Sequence, residues 1–151
     1  MGQVEKFVAE SNMIEGIHRK PTKAELAEYA RFLELDKVGV ADMEIFVSVY
    51  QPGARLRVAE SDNVVIGGYI PPPGGMHILY ALDALLAKDM TAITPHQLHT
   101  MYEDLHPFTD GNGRSGRMLW AWHMRQLNKP FTLGFLHSFY YQTLAEDQGR
   151  I

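Results

Sequence analysis

His106-Pro107-Phe108-Thr109-Asp110-Gly111-Asn112-Gly113-Arg114-Ser115-Gly116-Arg117 joins two segments whose spacing predicts helices. On its N-terminal side, Thr94-Pro95-His96-Gln97 is a helix start, with Thr as N-cap, Pro at the first helical position and Gln three residues beyond the cap. Leu98, Met101, Tyr102 and Leu105 form the expected buried stripe of that helix. On the other side, Met118-Leu119-Trp120-Ala121-Trp122 is apolar all round, which predicts a central, buried helix ended by Asn128 and Pro130.

The connecting loop has an unusual chemical inventory. Gly111 and Gly113 let a ligand approach their N–H groups closely. The helix behind them presents unpaired N–H groups and the positive end of its dipole, so the loop reads as an anion site. Arg114 and Arg117 lie three apart and can reach one anion, and a guanidinium grips phosphate with two parallel bonds. Asp110 is a candidate oxygen ligand for Mg²⁺. His106, with an ordinary pKa near ~6.5, can be neutral at pH 7 and act as general base. Base, metal ligand, phosphate cradle and two cationic clamps make the parts list of a nucleotide-handling transferase.

Further out, Val4, Phe7 and Val8, continued by Ile14 and Ile17, predict a short N-terminal helix ending near Gly16. Thr22 and Glu25 form a capping-box pattern, and Leu26, Tyr29, Ala30 and Leu33 give the expected inner face of a second helix. Val40, Met43, Val47 and Tyr50 suggest a third, stopped by Pro52-Gly53. The β-favouring runs 54–58 and 64–69 flank Glu60-Ser61-Asp62-Asn63 and predict one β-hairpin. Pro71-Pro72-Pro73-Gly74-Gly75 reads as a stiff loop before a helix with Ile78, Leu82, Leu85 and Leu86 inward. Leu136, Phe139, Tyr140 and Leu144 suggest a last helix. The expected architecture is mainly α with one hairpin, a single domain over 1–151.

Composition narrows the function. The 151 residues include 18 acidic and 14 basic side chains, a formal charge of −4, which argues against nucleic-acid binding. The absence of Cys removes disulfides and cysteine nucleophiles and fits a reducing compartment. Nothing approaches the ~18 apolar residues of a membrane span. Glu5, Lys6 and Glu10 interrupt any signal-peptide core, and Lys6 stands where a myristoylation signal wants Ser or Thr, so a cytoplasmic location is expected. His96 and His99 lack a third ligand for zinc, Ser115 has no partnered base, and Trp120, Trp122 and Tyr140 read as core.

The loop resembles the Fic family signature H-x-F-x-[D/E]-G-N-G-R-x-x-R, matched at all eight specified positions. That resemblance implies a Fic-type helical bundle with a hairpin flap (54–70) beside the active-site segment (106–117). It also implies adenylylation (AMPylation), in which a hydroxyl of a target protein, or of the chain itself, attacks the α-phosphate of ATP. Carried over, His106 takes the hydroxyl proton and Asp110 holds Mg²⁺ between the α- and β-phosphates. Gly111, Asn112 and Gly113 cradle phosphate, Arg114 holds the β-phosphate and Arg117 the γ-phosphate. Phe108 would anchor the loop in the core. The Doc-like kinase branch has Lys at the second motif Gly and lacks the last Arg, so Gly113 and Arg117 favour the AMP-transferring branch.

Ser11-Asn12-Met13-Ile14-Glu15-Gly16 resembles the Fic inhibitory pattern [S/T]-x-x-x-E-[G/N], which places an inhibitory helix segment at 1–18. Glu15 could pair with Arg117 and repel the γ-phosphate; at an effective dielectric of about 20, unit charges ~4 Å apart interact by about 4 kcal/mol. Ser11 could bond within the same cluster. The resemblance also gives the flap a role. Arg55–Val58 and Val64, Val65 and Ile66 would pair with an extended stretch of target by β-augmentation. Alternatives are AMP removal, with Glu15 orienting a water, transfer of another nucleotide or phosphate-containing group, and a non-catalytic nucleotide-binding module.

Overall fold

The structure is a computed structural model and describes residues 2–129. Among the described residues six helices follow one another: α1 (Gln3–Ile14), α2 (Lys23–Leu33), α3 (Val40–Tyr50), α4 (Met76–Leu86), α5 (Pro95–Leu105) and α6 (Asn112–Gln126). The expected last helix over 136–144, with Tyr140, lies outside the described residues. No described helix is long and apolar enough to cross a membrane.

Local chemistry explains the helix ends. Thr22 accepts the Glu25 N–H while Glu25 accepts the Thr22 N–H, closing the capping box of α2. Thr94 and Gln97 do the same for α5, with Pro95 in the first turn. α1 stops at Glu15, and Gly16 follows with φ +78, a left-handed turn that favours glycine.

α6 is the central rod. Its residues from Arg114 to Met124 are all buried, and it packs against α1, α2, α3 and α5. Met118, Leu119, Trp120, Ala121 and Trp122 are all in the core, as an all-apolar helix requires. Trp122 donates its indole N–H to the Leu35 carbonyl at 2.8 Å. Ile78, Leu82, Leu85 and Leu86 of α4 point inward as expected.

Two expected faces are rotated. α2 buries Tyr29 and Phe32 together with Glu25 and Glu28, while Ala30 is exposed. The carboxylates are tolerated because Arg19 grips Glu25 and Arg31 grips Glu28. α5 buries Leu98, His99, Tyr102 and Glu103, leaving Met101 exposed and Leu105 half-buried. His99 faces the neighbouring α6, where its Nδ1 lies 3.1 Å from the Gly116 carbonyl oxygen.

The largest departure concerns the hairpin. Residues 54–58 and 64–69 are not paired with each other as expected. Leu56 instead bridges Phe108 antiparallel, with Arg57 N–H on the Pro107 carbonyl (2.9 Å) and Thr109 N–H on the Arg55 carbonyl (2.8 Å). The Arg57 carbonyl accepts the Gly75 N–H at 2.9 Å. The first run is thus held between the 106–109 loop and the end of the proline segment. The second run turns on itself, with Ile66 and Tyr69 exchanging two backbone bonds of 2.9 Å around Gly67-Gly68.

α1 docks through Phe7, which meets the Tyr29 ring with centroids 5.1 Å apart, and through buried Val8. Phe7→Ala is expected to cost about 3 kcal/mol, the transfer term plus an unfilled cavity, read from urea unfolding followed by circular dichroism.

Candidate active site

α5 ends at the residue that carries the imidazole. His106 is its C-cap, in left-handed conformation (φ 48, ψ 63), with its N–H on the Tyr102 carbonyl at 3.0 Å. That backbone turns the chain sharply out of the helix and leaves the ring at the edge of a cavity of about 440 Å³. Glu15, Gln51, Asp110, Gly113 and Arg114 also line this space. Ring Nδ1 is buried without a hydrogen-bond partner among the described residues. Burial pulls the His106 pKa down to about 4, helped by the Arg57 charge and opposed by Asp110. The imidazole is therefore neutral at pH 7, the state a general base needs.

The loop beyond it is held by its main chain. Phe108 is buried in the core, as expected. Asn112, also buried, donates from Nδ2 to the Phe108 carbonyl (2.8 Å) and accepts the Phe108 N–H on Oδ1 (2.9 Å). Its side chain thus closes the loop, and only its main-chain N–H is left to serve in a cradle. The first intrahelical bond of α6 runs from Ser115 N–H to the Gly111 carbonyl at 3.0 Å. The N–H groups of Asn112, Gly113 and Arg114 come before it, at the positive end of the helix dipole.

Both glycines are required by geometry. Gly111 sits at φ +80, and a Cβ there would lie 3.1 Å from Gln51 Cβ. A Cβ on Gly113 would lie 2.5 Å from Glu15 Oε1, so the Glu15 carboxylate rests against the helix N-terminus. Asp110 is exposed; its Oδ1 accepts the Gly111 N–H at 2.8 Å. The other oxygen remains for a ligand, and one carboxylate suits Mg²⁺ that takes its other ligands from phosphate and water. No cluster of three or more metal-ligating side chains occurs among the described residues.

The two arginines are buried and held differently. Arg114 donates from Nη2 to Gln51 Oε1 and from Nη1 to Asn12 Oδ1 (3.4 Å), and it lies over the Tyr50 ring at 5.9 Å. Arg117 donates from Nε to Ser11 Oγ and from Nη2 to the Ser11 carbonyl, both at 2.8 Å. Glu15 Oε2 lies 3.8 Å from the same Nη2. The structure therefore brings Ser11 and Glu15 to Arg117, with Gly16 forming the turn behind them. Val64, Val65 and Ile66 are not among the residues lining the cavity; Val65 is 70% exposed.

Sequence reasoning missed four contributors. Gln51 and Asn12 orient Arg114, Arg57 binds the end of α5, and Glu103 packs against Gly116 one residue before Arg117. Asn12 was legible only as an unspecified position of a motif, and Gln51 as a helix end. Glu103 is buried, and its Oε1 has no hydrogen-bond partner among the described residues. Burial pushes its pKa up to about 8, with Arg117 opposing and Glu15 reinforcing.

Residues 40–124 match the family described as Fic/DOC, and the chain belongs to it. A probable protein adenylyltransferase of Aquifex aeolicus (strain VF5) is 27% identical over 128 residues, which cover 78% of this chain. The chain spans 40% of the length of that relative.

The raised Glu103 pKa couples the stability of the fold to pH. Folded protein holds a proton that the unfolded chain gives up near the ordinary ~4.3. The stabilisation is complete below that value and is lost as pH rises through about 8. Glu103→Gln is therefore expected to melt at a temperature that falls less than the parent's between pH 5 and 8, measured by calorimetry in matched buffers.

Proposed function

We propose that this chain is a protein adenylyltransferase that transfers AMP from ATP to a hydroxyl side chain, of a target protein or of itself, and that α1 holds it in check. One observation carries the reading. A neutral imidazole, a free carboxylate oxygen and the N–H groups of a helix N-terminus face a single cavity, with a carboxylate from α1 already placed at that N-terminus. Membership of the Fic/DOC family and the likeness to a probable protein adenylyltransferase support the same chemistry.

In this mechanism the triphosphate lies along the start of α6. The N–H groups of Asn112, Gly113 and Arg114 receive phosphate oxygens, the Arg114 guanidinium takes the β-phosphate and Arg117 the γ-phosphate. Asp110 would hold Mg²⁺, which when bound neutralises phosphate charge. His106 removes the proton from the incoming alcohol; its oxygen attacks the α-phosphorus, and the bond to pyrophosphate breaks. The proton stays on the imidazole until solvent takes it. Segment 64–66 would offer its edge to the extended target chain.

Inhibition follows from competition for one guanidinium. Glu15 and a γ-phosphate cannot both sit beside Arg117, since two like charges there repel. A second reading, AMP removal, draws support from the same carboxylate, which lines the cavity with His106 and could orient a water.

Glu15→Gly is expected to raise self-labelling by ATP labelled at the α-phosphate at least about tenfold, equivalent to removing ~1.4 kcal/mol of repulsion. Equal labelling of parent and variant would remove the inhibitory assignment. In that background His106→Ala should lower transfer ~100-fold or more while nucleotide still binds by calorimetric titration. Undiminished transfer would exclude the imidazole as base.

A further inference from the structure

Arg57 is among the most completely buried large side chains in the described residues, at 0% exposure. Its guanidinium makes three bonds, and all go to main-chain carbonyls. Nε donates to His106 at 2.6 Å, Nη2 to Leu105 at 2.9 Å and Nη1 to Asp62 at 2.8 Å. Among the described residues no carboxylate forms a hydrogen bond to it; the neighbouring Asp62 carboxylate is taken by Arg55. Taking a cation out of water costs several kcal/mol, and an apolar residue of similar volume usually serves stability as well or better. Packing alone does not account for an arginine here.

What an arginine supplies is a rigid fork of donors. The carbonyls of Leu105 and His106 stand at the C-terminal end of α5, where they have no helical N–H to accept and where a cation is favoured by the dipole. They belong to the residue that turns left-handed and to its predecessor. A non-glycine residue in that conformation persists only where its surroundings over-determine it. Arg57 is also anchored through its own main chain, between Pro107 on one side and Gly75 on the other. The third carbonyl, of Asp62, lies in the turn that leads to segment 64–66.

We propose that Arg57 is a positioning residue for the base: its guanidinium clasps the carbonyls of Leu105, His106 and Asp62, aims the His106 ring into the cavity, and ties that ring to the segment that would carry the target. The proposal rests on the reading of His106 as general base. Arg57 is buried and is not among the residues lining the cavity. Its loss therefore acts on the transfer step and leaves the phosphate cradle, built on α6, intact.

The test uses Arg57→Lys, which keeps the charge and loses the fork, in the full chain carrying Glu15→Gly. Expected are a kcat lowered roughly 100-fold, as for a misplacement of about 1 Å, and an ATP dissociation constant nearly unchanged. Unchanged kcat, or kcat and ATP affinity falling together, overturns the proposal. A readout independent of activity separates it from the assignment of the reaction. In histidine ring NMR spectra the His106 signals should shift, while those of the core residues His99 and His123 stay; His106 unmoved, or all three moving together, counts against the proposal. Should the variant fail to fold, the parent chain decides. Scalar coupling from Arg57 Nε to the His106 carbonyl carbon is expected, and its absence overturns the proposal.

Discussion

The side chains that face the cavity must stay available to a ligand, so the loop that carries them has to be held through its backbone. Asn112 meets that constraint by closing a two-bond ring on Phe108, whose own side chain is sunk in the core. The antiparallel pairing of Arg55–Arg57 with Pro107–Thr109 adds the second restraint. Neither consumes His106, Asp110 or the first N–H groups of α6. A buried backbone amide or carbonyl left without a partner costs about 1–3 kcal/mol, so these contacts also determine which loop conformation survives. The geometry of base, carboxylate and helix N-terminus is a consequence of where the backbone finds its partners.

The arginines pose the opposite problem. Buried guanidinium groups need acceptors at all times, whether or not an anion is present. Ser11 offers Arg117 both a hydroxyl and a carbonyl; Asn12 and Gln51 offer Arg114 side-chain oxygens. These neutral acceptors orient the cations without neutralising them. Glu15 differs, because it brings a full negative charge to 3.8 Å from Arg117 and rests against Gly113. One helix therefore supplies two kinds of contact: supports that keep the arginines in place, and a carboxylate that stands where another anion would stand. Removing the charge and removing the helix are physically different operations on this site.

Much of this was legible in the sequence where chemistry is local. The capping boxes at Thr22 and Thr94, the apolar run 118–122 and the glycines flanking Asn112 all do in space what their residue types require. What was not legible depended on partners far along the chain. The runs 54–58 and 64–69 do favour extended backbone, but extended backbone must find an edge. Residues 106–109 and 75 offered one closer than the second run did. The inner face of α2 contains Glu25 and Glu28 because Arg19 and Arg31 accompany them, and an amphipathic pattern counts carboxylates as outward. Asn112 matched its motif position, yet its amide serves the loop, a division between side chain and main chain that residue identity does not reveal.

The register of α5 against α6 ties these local solutions together. Gly116 lies where any Cβ would run into the Glu103 carboxyl, and His99 reaches the Gly116 carbonyl from one turn earlier on α5. Tyr102 meets Ser115 through their hydroxyls at 2.7 Å. Three contacts within five residues of α5 thus hold the end of one helix to the beginning of the next. His106 is one residue past that end, and Gly113 and Arg114 lie immediately before the contacts on α6. The distance from imidazole to helix N-terminus is thus set by close packing on a glycine rather than by the loop's own length. Closing that packing around a carboxyl also removes it from water, which is why Glu103 retains its proton. Uncharged, it leaves the Glu15 carboxylate 3.8 Å from Arg117 as the contact that α1 brings.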